Sequence, residues 1–163
     1  MMLLGVVSDT HGHVPNTRSA VQMLHSLGVE AVLHCGDIGA GAIVPMFAQW
    51  PTHFVLGNVD VEGRASALKE AITQAGQTCH GRFGSLELAG VKIALIHGDD
   101  QQLLDQTITA GLHQLVCHGH THVPRQEKIG NTLVLNPGAL YRAHRHTIAL
   151  VELPTLETQI IEV

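Results

Sequence analysis

"LLGVVSDTHGHVPNTRSAVQMLHSLGVEAVLHCGD" (Leu3–Asp37) decides the fold class. It opens and closes on continuous apolar runs, LLGVVS and EAVLHC, the mark of strands covered on both faces. Between them, PNTRSAVQMLHSLG places Ala20, Val21, Leu24 and Leu27 at helical spacing and stops at Gly28. Pro15-Asn16 is the expected helix start. Strand, helix and strand in that order predict a parallel βαβ unit.

Reading outward, the pattern continues. GAIVPMFAQW predicts a short helix, THFVLGN a third strand and RASALKEAITQAG a third helix closed by glycine. From Gly84 hairpins take over. SLELAG and VKIALIHGD are joined across Ala89-Gly90, and DDQQLLDQTITAG is helical. HQLVCHGH is another buried strand, with His118, His120 and His122 alternating and so expected on one face. RQEKIGNTLVLNPG turns at Gly130-Asn131, and HTIALVEL with LETQIIEV closes around Pro154-Thr155. The expectation is one α/β domain over residues 1–163, with two packed mixed β-sheets flanked by helices.

Composition narrows the function. The chain has 163 residues, a formal charge of −5 and only 3% aromatics. No basic run tracks a phosphate backbone and few rings could stack bases, so a dedicated nucleic-acid binder is not expected. Cys35, Cys79 and Cys117 are odd in number and lack CxxC spacing, which predicts free thiols and a reducing cytoplasm. MMLLGVVSD lacks the basic flank of a signal peptide, and no segment nears the roughly 20 apolar residues of a membrane span. Histidine is the outlier, with 13 against 9 Lys plus Arg.

Polar clusters follow the buried strands: SDTHGH, CGD, LGNVD, IHGDD and HGHTH. In α/β sheets such strand ends converge on one cleft. They offer Asp9, His11, Asp37, Asn58, His97, His120 and His122, an oxygen-and-imidazole set without thiolate. That set suits Mn, Fe, Ni, Co or Zn, and seven ligands fit two ions sharing a carboxylate better than one ion.

Taken in order, DTH, GD, GN, HG and GHTH, with NPG at Asn136–Gly138, resemble the calcineurin-type metallophosphoesterases. The small single-domain YfcE-like phosphodiesterases are the most similar branch. The resemblance implies that fold, a metal-dependent phosphodiesterase activity on a small phosphate ester, and two divalent ions, manganese foremost. It places Asp9, His11 and His122 on the first ion and Asn58, His97 and His120 on the second. Asp37 bridges them together with a hydroxide, and Asp37, His97 and His120 are the expected catalytic residues. Two cations roughly 3.5–4 Å apart clamp phosphoryl oxygens and acidify a bridging water.

Two positions depart from that pattern. Val59 stands where many relatives carry a proton-donating histidine, so leaving-group protonation must come from water or another residue, or substrates with good leaving groups are favoured. Ala139 replaces a common serine after NPG, a change expected to alter loop or substrate contacts. His13, His118 and Arg142 are the substrate-side candidates, with His144 and Arg145 beside them if the NPG loop faces the cleft. Asp60 either orients a ligand or solvates a loop. His25, His113, His53 and His80 read as surface or satisfied core residues, and His34 as packed on the sheet.

Other readings fall on the same residues. HGHTH does not complete the HxHxDH zinc motif, because the Asp-His pair would fall on His122-Val123 or Pro124-Arg125. HGH at His11–His13 would need a barrel of about 250 residues to be an amidohydrolase strand. GDIGAGA has GxxGxG spacing after the second strand, not a dinucleotide fingerprint after the first. The remaining alternative is a catalytically weak scaffold, as in a retromer subunit that resembles this family in fold. The intact ligand set favours an enzyme, and the sequence leaves self-assembly open.

Overall fold

A computed structural model describes residues Met1–Val163. The first sheet is built on β1 (Met2–Val7), which pairs parallel with β2 (Ala31–His34). Beyond β2 lie β3 (Thr52–Phe54) and the two-residue β4 (Thr78–Cys79), both parallel to it. On its other side β1 pairs antiparallel with β10 (Thr147–Leu153), which pairs with β11 (Glu157–Glu162). The second sheet has the order β5 (Phe83–Leu88), β6 (Val91–Ile96), β7 (Leu115–Cys117), β9 (Thr132–Asn136), β8 (Arg125–Ile129). Both sheets mix parallel and antiparallel pairs: the first carries the β10–β11 hairpin at one margin and the second a hairpin at each margin.

The two sheets pack face to face. Leu4, Val6, Leu33, Ala149 and Val151 meet Ile93, Leu95, Leu115, Cys117 and Leu135 in one fully buried cluster. The other face of the first sheet is covered by α1 (Val14–Ser26), a 3-10 helix (Gly41–Phe47) and α3 (Ala65–Gln74). Leu24, Phe47, Leu68 and Ile72 supply that layer, each worth roughly 1.5–3 kcal/mol of burial. Gly5 permits α1 to lie this close, since a Cβ there would stand 2.7 Å from Leu24 Cδ2. α4 (Gln101–Ala110) closes the second sheet with Leu104 and Ile108, its first turn capped by the Asp100 carboxylate on the Leu103 N–H. No helix is long and apolar enough to cross a membrane.

The short helix expected over GAIVPMFAQW is a 3-10 helix (Gly41–Phe47), with Pro45 inside it and no N–H to give. Two local expectations are corrected. The third strand ends at Phe54, and Asn58 opens a short helix, α2 (Asn58–Val61). β7 ends at Cys117, so the three histidines after it do not share one strand face. His120 and His122 instead take left-handed backbone (φ 68° and 59°), which breaks the alternation.

His34, at the end of β2, is fully buried against Phe54 and Phe47. Its Nδ1 accepts from the Gly36 N–H and its Nε2 lies 3.0 Å from Thr10 Oγ1. Burial disfavours the imidazolium and lowers the His34 pKa from 6.5 to about 3. The unfolded chain therefore takes up this proton first, so the stability His34 contributes is complete above pH 6.5 and lost as pH falls toward 3. His34→Gln should unfold with about one proton less taken up near pH 5, read from the pH dependence of the denaturation midpoint. An unchanged slope would mean that His34 is already charged in the folded protein.

Candidate metal centre

Asp9 and His11 follow β1, Asp37 follows β2, and Asn58 follows β3 by way of a short loop. His97 comes directly after β6, and His120 and His122 after β7. Parallel pairing within each sheet brings these strand ends to one edge of the sandwich. Five of the seven side chains stand on left-handed backbone: Asp9 (φ 54°), His11 (45°), Asp37 (52°), His120 and His122. Such residues cost about 1–3 kcal/mol each and persist only where neighbours over-determine them. Here the Asp9 and His11 N–H groups donate to Gly36 O (3.0 Å) and Asp37 O (2.9 Å). The His120 N–H donates to Asp9 Oδ2 at 3.2 Å.

The side chains gather in two groups around Asp37. In one, His122 Nε2 lies 3.1 Å from Asp9 Oδ1 and 3.2 Å from His11 Nε2. In the other, His97 Nε2 lies 3.1 Å from Asn58 Oδ1, and the His120 ring stands 5.2 Å from the His97 ring. Asp37 faces both, with Oδ1 3.3 Å from His97 Nε2 and Oδ2 3.7 Å from His11 Nε2. Two triads place their ligand atoms within 4.8 Å of one another: Asp9, His11, His122 and Asp9, Asp37, His97. The carboxylate common to those triads is Asp9, while Asp37 is the one whose two oxygens point to different groups.

The hydrogen bonding shows what such a centre could accept. His97 donates its Nδ1–H to Cys35 O (2.8 Å) and His122 donates its Nδ1–H to Arg142 O (3.0 Å). Each Nε2 is left as a lone pair aimed at oxygens that are themselves acceptors. Asp9 Oδ1 is buried with no donor at all. Acceptors facing acceptors need a cation or a proton between them, so the donor set fits divalent metals. No thiolate competes, because Cys35 and Cys117 are packed between the sheets and burial pushes both thiols up.

Electrostatics point the same way. Burial opposes charge on His97, but Asp37 and then Asp9 outweigh it and raise its pKa. His122 is raised by the Asp9 carboxylate. Burial alone would raise Asp9 and Asp37, yet the facing histidines hold both below the usual carboxylate range. A proton and a metal thus contend for the same lone pairs, and metal affinity falls as pH drops.

Asp60, fully buried, fastens two of the ligand loops. Its Oδ2 accepts from the Ile38 N–H (3.0 Å) and the Gly57 N–H (2.9 Å), and its Oδ1 from the Gly39 N–H (2.9 Å). It orients the Asp37 and Asn58 loops and does not solvate a surface. Asn136 does the same for the GHTH loop, donating to Gly119 O (2.9 Å) and Thr121 Oγ1 (3.0 Å). Several glycines admit the backbone: a Cβ on Gly119 would lie 2.6 Å from Asp9 Oδ2, and one on Gly36 2.8 Å from His97 Nδ1.

The other candidates scatter. His13 caps α1, its Nδ1 accepting the Asn16 N–H (3.3 Å), and stacks on Tyr141 at 4.5 Å. His118 is 3% exposed with Nδ1 turned onto Gly119 O, so it does not line the cleft beside His120 and His122. Its Nε2 has no partner, and burial lowers its pKa to about 4. Ala139 is wholly buried, which leaves a loop effect for the missing serine and no substrate contact. Arg142 is at the mouth of the cleft, with Val59 and with Arg64, which nothing in the spacing of the sequence marked.

The match to known proteins runs along this same scaffold. A family model described as the calcineurin-like phosphoesterase superfamily domain matches residues 2–156. A phosphodiesterase of Methanocaldococcus jannaschii is 33% identical over 138 residues, 84% of this chain and 83% of the relative. The solved structure of an archaeal phosphodiesterase superposes with a TM-score of 0.91 at 32% identity, covering 99% of this chain and all of that one. The Escherichia coli phosphoesterase Yfce shares the fold, with a TM-score of 0.70 at 19% identity and 98% of each chain covered. On the length of the family match and the identity to these relatives, the chain belongs to the calcineurin-like phosphoesterase superfamily.

Proposed function

We propose that the protein is a metal-dependent phosphodiesterase acting on a small phosphate ester. Two divalent cations would be held by Asp9, His11 and His122 on one side and Asn58, His97 and His120 on the other, with Asp37 between. Manganese is the first choice for this donor set and Ni, Fe, Co or Zn the alternatives. The observation that carries the reading is the convergence of imidazole nitrogens and carboxylate oxygens, above all the orphaned Asp9 Oδ1. A scaffold would have no use for so many lone pairs aimed at one place. When bound, the ions supply Lewis-acid polarisation of the phosphoryl oxygens and an activated water.

The chain's own residues do the rest. Cys35 O and Arg142 O fix the tautomers of His97 and His122, so that both rings present Nε2. The Val59 N–H holds Asp37 Oδ1 at 3.1 Å and steadies the carboxylate between the groups. The Val59 side chain has no proton to give, so departure of the alcohol depends on its own acidity. Arg142, which lines the mouth, would meet the substrate there.

Prolonged treatment with EDTA should abolish hydrolysis of bis(4-nitrophenyl) phosphate, and Mn²⁺ or Ni²⁺ should restore more of it than Mg²⁺, which prefers an all-oxygen shell. Across aryl and alkyl diesters the rate should fall steeply with leaving-group pKa, and Val59→His should flatten that slope. Full turnover by metal-free protein would refute the proposal.

A further inference from the structure

A polar depression of about 250 Å³ opens over the centre, lined by His11, Gly39, Val59, Glu62, Arg64 and Arg142. Three of the six arginines of this acidic chain are committed elsewhere: Arg82 to Asp99, Arg125 to Glu127 and Arg145 to Glu162. Arg64 and Arg142 have no carboxylate partner, although Glu62 lines the same mouth. Each is tied to a loop that carries a candidate ligand. Arg64 Nη1 donates to Gly39 O (3.3 Å), two residues past Asp37. The Arg142 carbonyl receives the His122 Nδ1–H, and its guanidinium lies 5.7 Å over the Tyr141 ring.

Depth separates these two side chains from the most buried ligands of the centre. Asp9, Asp37 and His97 form the floor at 0–3% exposure, whereas both arginines are exposed at the rim. A phosphorus atom under attack on the floor therefore leaves the guanidiniums for another part of the same molecule. Guanidinium groups recognise phosphate and carboxylate oxygens through paired, charge-assisted hydrogen bonds. Glu62 offsets one of the two charges, so the rim holds a single positive charge in excess. That suits one further anionic group and not a nucleic-acid backbone, which a chain of net charge −5 also repels.

From this placement we infer that Arg64 and Arg142 form a rim site for a second anionic group. The preferred substrate is then a phosphodiester with an additional phosphate on one arm. The inference rests on the phosphodiesterase reading and extends it to the substrate class.

The test compares thymidine 5′-(4-nitrophenyl phosphate) with the same ester carrying a 3′-phosphate, using Mn²⁺-loaded protein. Wild-type protein should favour the 3′-phosphorylated ester in kcat/KM. Arg64→Gln and Arg142→Gln should each reduce that preference about 10-fold, as for loss of a charge-assisted hydrogen bond, mainly through KM. Added NaCl should erode the preference of the wild type. No wild-type preference, or an equal loss on both esters in the variants, overturns the rim site. A second measurement separates the two readings: calorimetric titration with thymidine 3′,5′-bisphosphate against thymidine 5′-phosphate. If neither ester is hydrolysed, the phosphodiesterase reading fails. The rim site then stands only if the bisphosphate binds more tightly and both variants lose that difference.

Discussion

His120→Ala and His122→Ala should each lose about one equivalent of bound divalent metal and at least ~10²-fold in diester hydrolysis, because clamping a phosphoryl group requires both ions. The expectation follows from where the two rings stand. His122 Nε2 faces Asp9 Oδ1 and His11, while the His120 ring packs edge-on to His97. Each variant removes an imidazole from a different group, so the one equivalent that remains should differ in affinity between the two variants. His118→Ala should keep both equivalents, since the His118 ring is buried outside the cleft with Nδ1 on Gly119 O. Elemental analysis of the three proteins decides the matter. Full occupancy in His120→Ala, or an ion lost in His118→Ala, would show the assignment of the triplet to be wrong.

Gly57→Ala should be nearly as damaging, although no reactive atom is removed. Gly57 has an unstrained backbone (φ −84°), so an alanine is barred there by space alone. Its Cβ would overlap both the Oδ1 and the backbone N of Asp37, and a main-chain atom cannot swing aside as the end of a side chain can. The Asp37 loop must retreat, which carries the carboxylate away from both histidine groups. A displacement of this order costs about 10²-fold in rate, and metal affinity should fall with it. The sheets and their buried clusters do not include Gly57, so thermal unfolding should remain a single cooperative transition. Near-normal rate and metal content in Gly57→Ala would mean that Asp37 does not need its present position.

Much of the architecture is legible in short windows. A strand covered on both faces is apolar along most of its length, and the apolar runs within LLGVVS, EAVLHC and VKIALI declare themselves for that reason. Helix ends are written in Gly28, Gly76 and Gly111, each at positive φ. The seven residues that meet at the sandwich edge are legible too. They are the polar side chains placed where the apolar strands stop, and parallel pairing leaves those ends no other place to go. Local periodicity misleads where the backbone leaves regular geometry. HGHTH scans as an alternating strand, yet Gly119 opens a loop in which His120 and His122 turn left-handed and His118 turns inward.

The succession of strands and helices along the chain and the identity of the converging residues were set by sequence, because burial on two faces and strand-end polarity are properties of neighbouring positions. The tertiary structure alone decided which distant pieces meet. β10 joins β1 across most of the chain, Asp60 ties the Asp37 loop to its own, and Arg64 and Arg142 come to line one mouth. No window of sequence holds those partners together. They are selected by closure of two sheets around one shared core, and only that closure fixes the distance between side chains so far apart in the chain.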